Sequence, residues 1–89
     1  MKQKLDTNSQ RKIILEAMFE NPDRCNWIAT DFQQGPYFVG YEASPRMSEL
    51  KNDYPDLFIV GKIDRFRTLT INWENQEIID EIKDKYGIA

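Results

Sequence analysis

The chain has 89 residues, enough for one domain with a modest core, and its 40% hydrophobic share, with five Phe, four Tyr and two Trp, argues against disorder of the whole. A net charge of −3 is the wrong sign for a simple polyanion binder, and the lack of histidine removes the commonest general base and metal ligand. The longest apolar run, Leu57–Val60, is too short to span a membrane.

The charge is unevenly placed. It is +3 over residues 1–12, −3 over residues 13–40, balanced over 41–70 and −3 over 71–89. Base therefore gathers at the amino end and in the middle of the chain. Residues 1–7 read as a flexible basic tail, suited to following a phosphate backbone or simply disordered. Asn8 or Ser9 caps a first helix predicted over Gln10–Glu20, with Ile14, Ala17 and Met18 on its apolar stripe and Ile13 and Leu15 widening it. Asn21-Pro22-Asp23 ends that helix, because proline lacks the N–H that continues the ladder.

A second short helix is predicted over Cys25–Gln33, capped by Asn26, with Trp27, Ile28 and Phe32 reaching the core. Cys25, the only cysteine, cannot form an internal disulfide and reads as a small buried apolar residue or as one with no particular role; a free thiol and no signal-like start fit a cytoplasmic protein. A catalytic thiol would need a base that the chain does not offer. Gln34–Gly40 forms a turn around the apolar patch Tyr37-Phe38-Val39, and its glycine spacing matches no phosphate-binding loop.

A third helix is predicted over Glu42–Asn52; either Ser44 caps it and Pro45 is its first residue, or it starts near Glu42 with Pro45 in its first turn. Ala43, Met47 and Leu50 form its buried side, and Ser44, Arg46, Ser48, Lys51 and Asn52 are assigned to the opposite, polar side. Tyr54-Pro55-Asp56 turns the chain into two strands, Leu57–Ile63 and Arg67–Ile71. In the second strand Leu69 and Ile71 should face in, with Thr68 and Thr70 out. Lys62, Arg65 and Arg67 surround the hairpin tip, where they can reach phosphate oxygens or keep an exposed edge soluble. A last helix, Gln76 to about Lys85, ends at Gly87 and carries Ile78, Ile79, Ile82 and Tyr86; its stripe either closes the core or meets a second copy.

The span Ser9–Ile71 resembles the short winged helix-turn-helix domains of bacteria, phages and mobile elements. The resemblance rests on the opening Gln10-Arg11-Lys12-Ile13-Ile14-Leu15, the core Ala43-Ser44-Pro45-Arg46-Met47-Ser48-Glu49-Leu50, the step Asn52-Asp53-Tyr54-Pro55 and the basic stretch Lys62 to Arg67. It implies an α+β, mainly α, fold: a three-helix core over residues 8–73 with a hairpin wing, and an added helix over 74–89 that packs on the domain or mediates dimerisation. It also implies a transcriptional regulator or mobile-element accessory factor that inserts the third helix into the major groove of double-stranded DNA. Ser44, Arg46, Ser48, Lys51 and Asn52 would lie near bases and phosphates, and Lys62, Arg65 and Arg67 would hold the backbone. An arginine at position 46 paired with guanine would supply about 1–3 kcal/mol of discrimination. The competing expectation is a protein-interaction module on the same fold, motivated by the acidic last helix and the Tyr37-Phe38-Val39 patch. No catalytic constellation, cofactor or metal site is expected, since paired acids such as Asp80-Glu81 are ordinary helix-surface charges.

Overall fold

The computed structural model describes residues 6–33, 38–40 and 42–88. Most of the predicted basic tail, part of the predicted Gln34–Gly40 turn and Tyr41 lie outside these residues. The described chain is a small α+β fold, mainly helical, with three α-helices and an antiparallel hairpin.

Helix α1 spans Thr7–Glu20. Its cap is Asp6 rather than Asn8 or Ser9: the Asp6 carboxylate accepts from the Ser9 backbone N–H at 2.7 Å, and this bond draws its pKa below the ordinary carboxylate value. A carboxylate at this end also suits the helix dipole, so the helix starts three residues earlier than predicted. Ile14, Leu15, Ala17 and Met18 are fully buried. Asn21 closes the helix, donating through its side chain to the Ala17 carbonyl at 2.7 Å.

The predicted helix over Cys25–Gln33 is largely absent. Only a 3-10 turn, Ala29–Phe32, forms there. Upstream of it Asn26 adopts φ +59, and Trp27 pairs in extended form with Leu69, exchanging N–H···O bonds of 2.8 and 2.9 Å. Backbone groups engaged with a strand cannot also serve a helical ladder, and an asparagine tolerates the left-handed conformation that diverts the chain. Trp27 is fully buried and stacked on Phe32 at 5.4 Å, and the Arg24 guanidinium lies 4.0 Å from its ring centroid. Ile28 is only half-buried and does not take the core position predicted for it, and Cys25 is exposed, which removes the buried one of its two readings.

Helix α2 spans Ala43–Asp53 and buries Ala43, Met47 and Leu50. Gly40, at φ +102, makes the turn into it and accepts from the Ala43 N–H. Strands β1, Phe58–Ile63, and β2, Phe66–Ile71, pair antiparallel through a two-residue turn, Asp64-Arg65, with Asp64 at φ +53. Leu69 and Ile71 face the core, but Thr68 is fully buried rather than outward, and Thr70 is half-buried. The Asn26–Trp27 segment lies against β2, bridged to Leu69, and Asn26 meets both threonines. The Thr68 hydroxyl donates to Asn26 Oδ1 at 3.2 Å, and Thr70 Oγ1 accepts from the Asn26 N–H at 2.8 Å.

Helix α3, Gln76–Tyr86, ends at Gly87 in the left-handed region, φ +68, with Ile88 N–H returning to the Lys83 carbonyl at 2.8 Å. Ile79, Ile82 and Tyr86 are buried within the single chain, and Ile78 is half-buried. Among the described residues no helix is long and apolar enough to cross a membrane.

Candidate nucleic-acid interface

Helix α2 has two polar sides, separated by helical geometry. At about 100° per residue, Ser44, Ser48 and Lys51 fall within about 60° of one another, while position 46 lies about 200° from Ser44. The first group points away from α1. Glu42, Arg46, Glu49 and Asp53 share the other direction, and three of them meet α1 directly. Gln10 Nε2 donates to Glu42 at 2.8 Å, Arg46 Nη1 donates to Thr7 Oγ1 at 2.7 Å, and Arg11 pairs with Asp53. Arg46 also pairs with Glu49 at 2.7 Å, and its side chain is only 17% exposed. Grouping Arg46 with Ser44 and Ser48 on one face is therefore corrected: it braces α1 against α2. The wheel angle alone separates position 46 from Ser44; that α1 lies on its side is a tertiary fact.

Strand alternation builds the opposing wall. Val60 opposite Leu69 and Lys62 opposite Arg67 share one face of the hairpin. Ser44, Ser48 and Lys51 of α2 form a groove with Val60, Arg67 and Leu69, floored by Met47 and Ala29. Of the eight predicted site residues, the groove gathers Ser44, Ser48, Lys51 and Arg67. Lys62 adjoins it through its pairing with Arg67. Arg65 is exposed in the hairpin turn, and Asn52 is exposed in the last turn of α2, outside the groove lining.

The electrostatics of this wall are unusual for a hairpin. Lys62 and Arg67 sit directly across from each other, an arrangement that by itself weakens strand pairing. Among the described residues neither has an ion-pair partner, nor do Lys51 and Arg65. The acids nearby are engaged elsewhere: Asp53 with Arg11, Glu49 with Arg46, Asp31 with Arg24. Asp64 is the one acid of the hairpin, at its tip. The charge balance of residues 41–70 thus hides a separation in space: Glu42, Glu49 and Asp53 are engaged on the α1 side, whereas Lys51, Lys62 and Arg67 around the groove have no ion-pair partner among the described residues.

An apolar strip borders the basic wall. Ile59, Val60, Ile63 and Phe66 of the hairpin are each about half exposed, as is Phe38. Val39 is buried and Tyr37 lies outside the described residues, so the predicted Tyr37-Phe38-Val39 patch reduces here to Phe38. Among the described residues no cluster of His, Cys, Asp and Glu has the arrangement of a metal site. Compared with models of known families, with curated proteins and with solved structures, the chain matches none.

Proposed function

We propose that this chain is a small DNA-binding protein of the winged helix-turn-helix kind, acting as a transcriptional regulator or as an accessory factor of a mobile element. The observation that carries this reading is the opposed, carboxylate-free pair Lys62 and Arg67 facing Lys51 and two serines of α2. A protein keeps like charges side by side at some cost to folding, and a polyanion offsets that cost. The chain order of α1, α2 and the hairpin supports this reading, although a short 3-10 turn stands where the resemblance implies a helix. In this mechanism α2 enters the major groove with Ser44, Ser48 and Lys51 leading and Asn52 at its end. Lys62, Arg65 and Arg67 hold the phosphate backbone. Arg46 leaves the DNA-facing set and acts as a positioning residue.

A second reading, a protein-binding module, is favoured by the half-exposed Ile59, Ile63 and Phe66. One titration separates the two. Random-sequence duplex DNA is titrated at two salt concentrations with the wild-type chain and with Lys51, Lys62, Arg65 and Arg67 all changed to Gln. Removing one cation from a phosphate lowers the log–log salt slope by about 0.9, so removing four lowers it by about 3.6. No binding, or binding indifferent to salt and to the four changes, overturns the DNA reading in favour of the protein-binding one.

A further inference from the structure

The free edge of β1 belongs to none of the contacts above. The phase of the β1–β2 ladder follows from the two-residue turn and from the Asn72 N–H, which donates to the Leu57 carbonyl at 2.8 Å. Odd-numbered residues of β1 therefore bond to β2. The N–H and C=O groups of Phe58, Val60 and Lys62 point away from it, and among the described residues no strand meets them. β2 is protected on its far side by Trp27; β1 has no such cover.

We propose that this edge binds a second copy of the chain, antiparallel, with the two-fold axis at Gly61. This register sets Val60 against Lys62 of the other copy and the reverse, making two reciprocal pairs of backbone hydrogen bonds. It brings Ile59 of each copy against Ile63 of the other, at the closely spaced, non-hydrogen-bonded positions. These two residues are 55% and 49% exposed in the single chain. Gly61, without a side chain, lies at the axis. The charges agree with the register: the hairpin turn of one copy, carrying Arg65, arrives beside exposed Asp56 at the base of the other copy's strand. A register centred on Val60 instead leaves Ile63 opposite Leu57, whose side chain is buried in its own core.

The axis runs perpendicular to the joined sheet, so each face of the sheet stays continuous across the two copies. Both α2 helices and both basic grooves then lie on the same side. Ile59, Ile63 and Phe66 of the two copies merge on the other.

The test uses the full chain without DNA, so it stands apart from the outcome of the DNA titration. In a Cys25→Ser background, sedimentation over a concentration series is expected to reach about twice the 10.6 kDa of one chain. Val60→Pro should return it to a monomer with unchanged circular dichroism, because that N–H serves no bond to β2. Ile59→Cys mixed with Ile63→Cys should form an interchain disulfide on oxidation, while each alone should not. The opposed pair has Cα atoms about 4.5 Å apart, within disulfide reach, but like positions are about 13 Å apart. A chain that stays monomeric at its highest soluble concentration overturns the proposal. So does a dimer that survives Val60→Pro, or Ile59→Cys linking to itself as fast as in the mixture.

Discussion

Arg46→Met distinguishes a brace from a base-reading residue. Methionine keeps the apolar stem and removes the guanidinium. Two interactions go with it: the 2.7 Å bond to Thr7 Oγ1 and the 2.7 Å pair with Glu49. The first is a charge-assisted bond at an exposed hydroxyl and contributes about 1 kcal/mol. The second joins residues one helical turn apart, and Glu49 keeps 38% of its side chain in water, so it contributes about 0.3–0.5 kcal/mol. Their sum, about 1.3–1.5 kcal/mol, lowers the melting temperature of a domain this size by about 5–12 °C. Thermal and urea unfolding of Arg46→Met, Thr7→Val and the double variant should show a coupling near 1 kcal/mol. The DNA salt slope of Arg46→Met should match the wild-type slope. Unchanged stability together with a slope reduced by about 0.9 would refute the assignment and return Arg46 to the DNA-facing set.

Trp27→Ala removes a fully buried ring that holds the extended segment on β2, and urea unfolding should show a loss of about 3–5 kcal/mol. A loss below about 1 kcal/mol would mean that the segment is not part of the core. A third prediction concerns the tyrosines joining α3 to the end of α2. Burial, then the hydrogen bond shared with Tyr54, pushes the Tyr86 phenol up to about 12 from 10.0. For Tyr54 burial acts upward, but the bonds from Lys85, at 2.7 Å, and from Tyr86 outweigh it, and its pKa falls below 10.0. With Tyr37 and Tyr41 changed to Phe, tyrosinate absorbance should therefore rise in two separate steps, and adding Tyr54→Phe should delete the earlier one. Tyr86 holds its proton more tightly when folded, so the stability it contributes is complete below pH 10 and is lost as pH rises through about 12. A single step, or an early step that survives Tyr54→Phe, would contradict the assignment.

Much of the fold was legible because local rules agreed with one another. Three helices, two strands and a glycine stop rest on periodicity, prolines and turn residues, each acting within a few positions. The basic hairpin was legible for the same reason, since Lys62, Arg65 and Arg67 stand close together in the chain. The segment around Trp27 was not. Its apolar spacing suits a helix, and nothing nearby reveals that Leu69, far along the chain, takes its backbone bonds.

By itself the amino-acid order determined roughly where the three α-helices lie, where they stop, which of their stripes are apolar and where base is dense, because these depend on backbone sterics and nearest neighbours. Tertiary structure decided which cations stay free. Arg46 and Lys51 read alike as basic residues on one polar helix, yet α1 engages the first and leaves the second in the groove. It also decided which strand edge stays open, since an edge exists only once its other side has been paired.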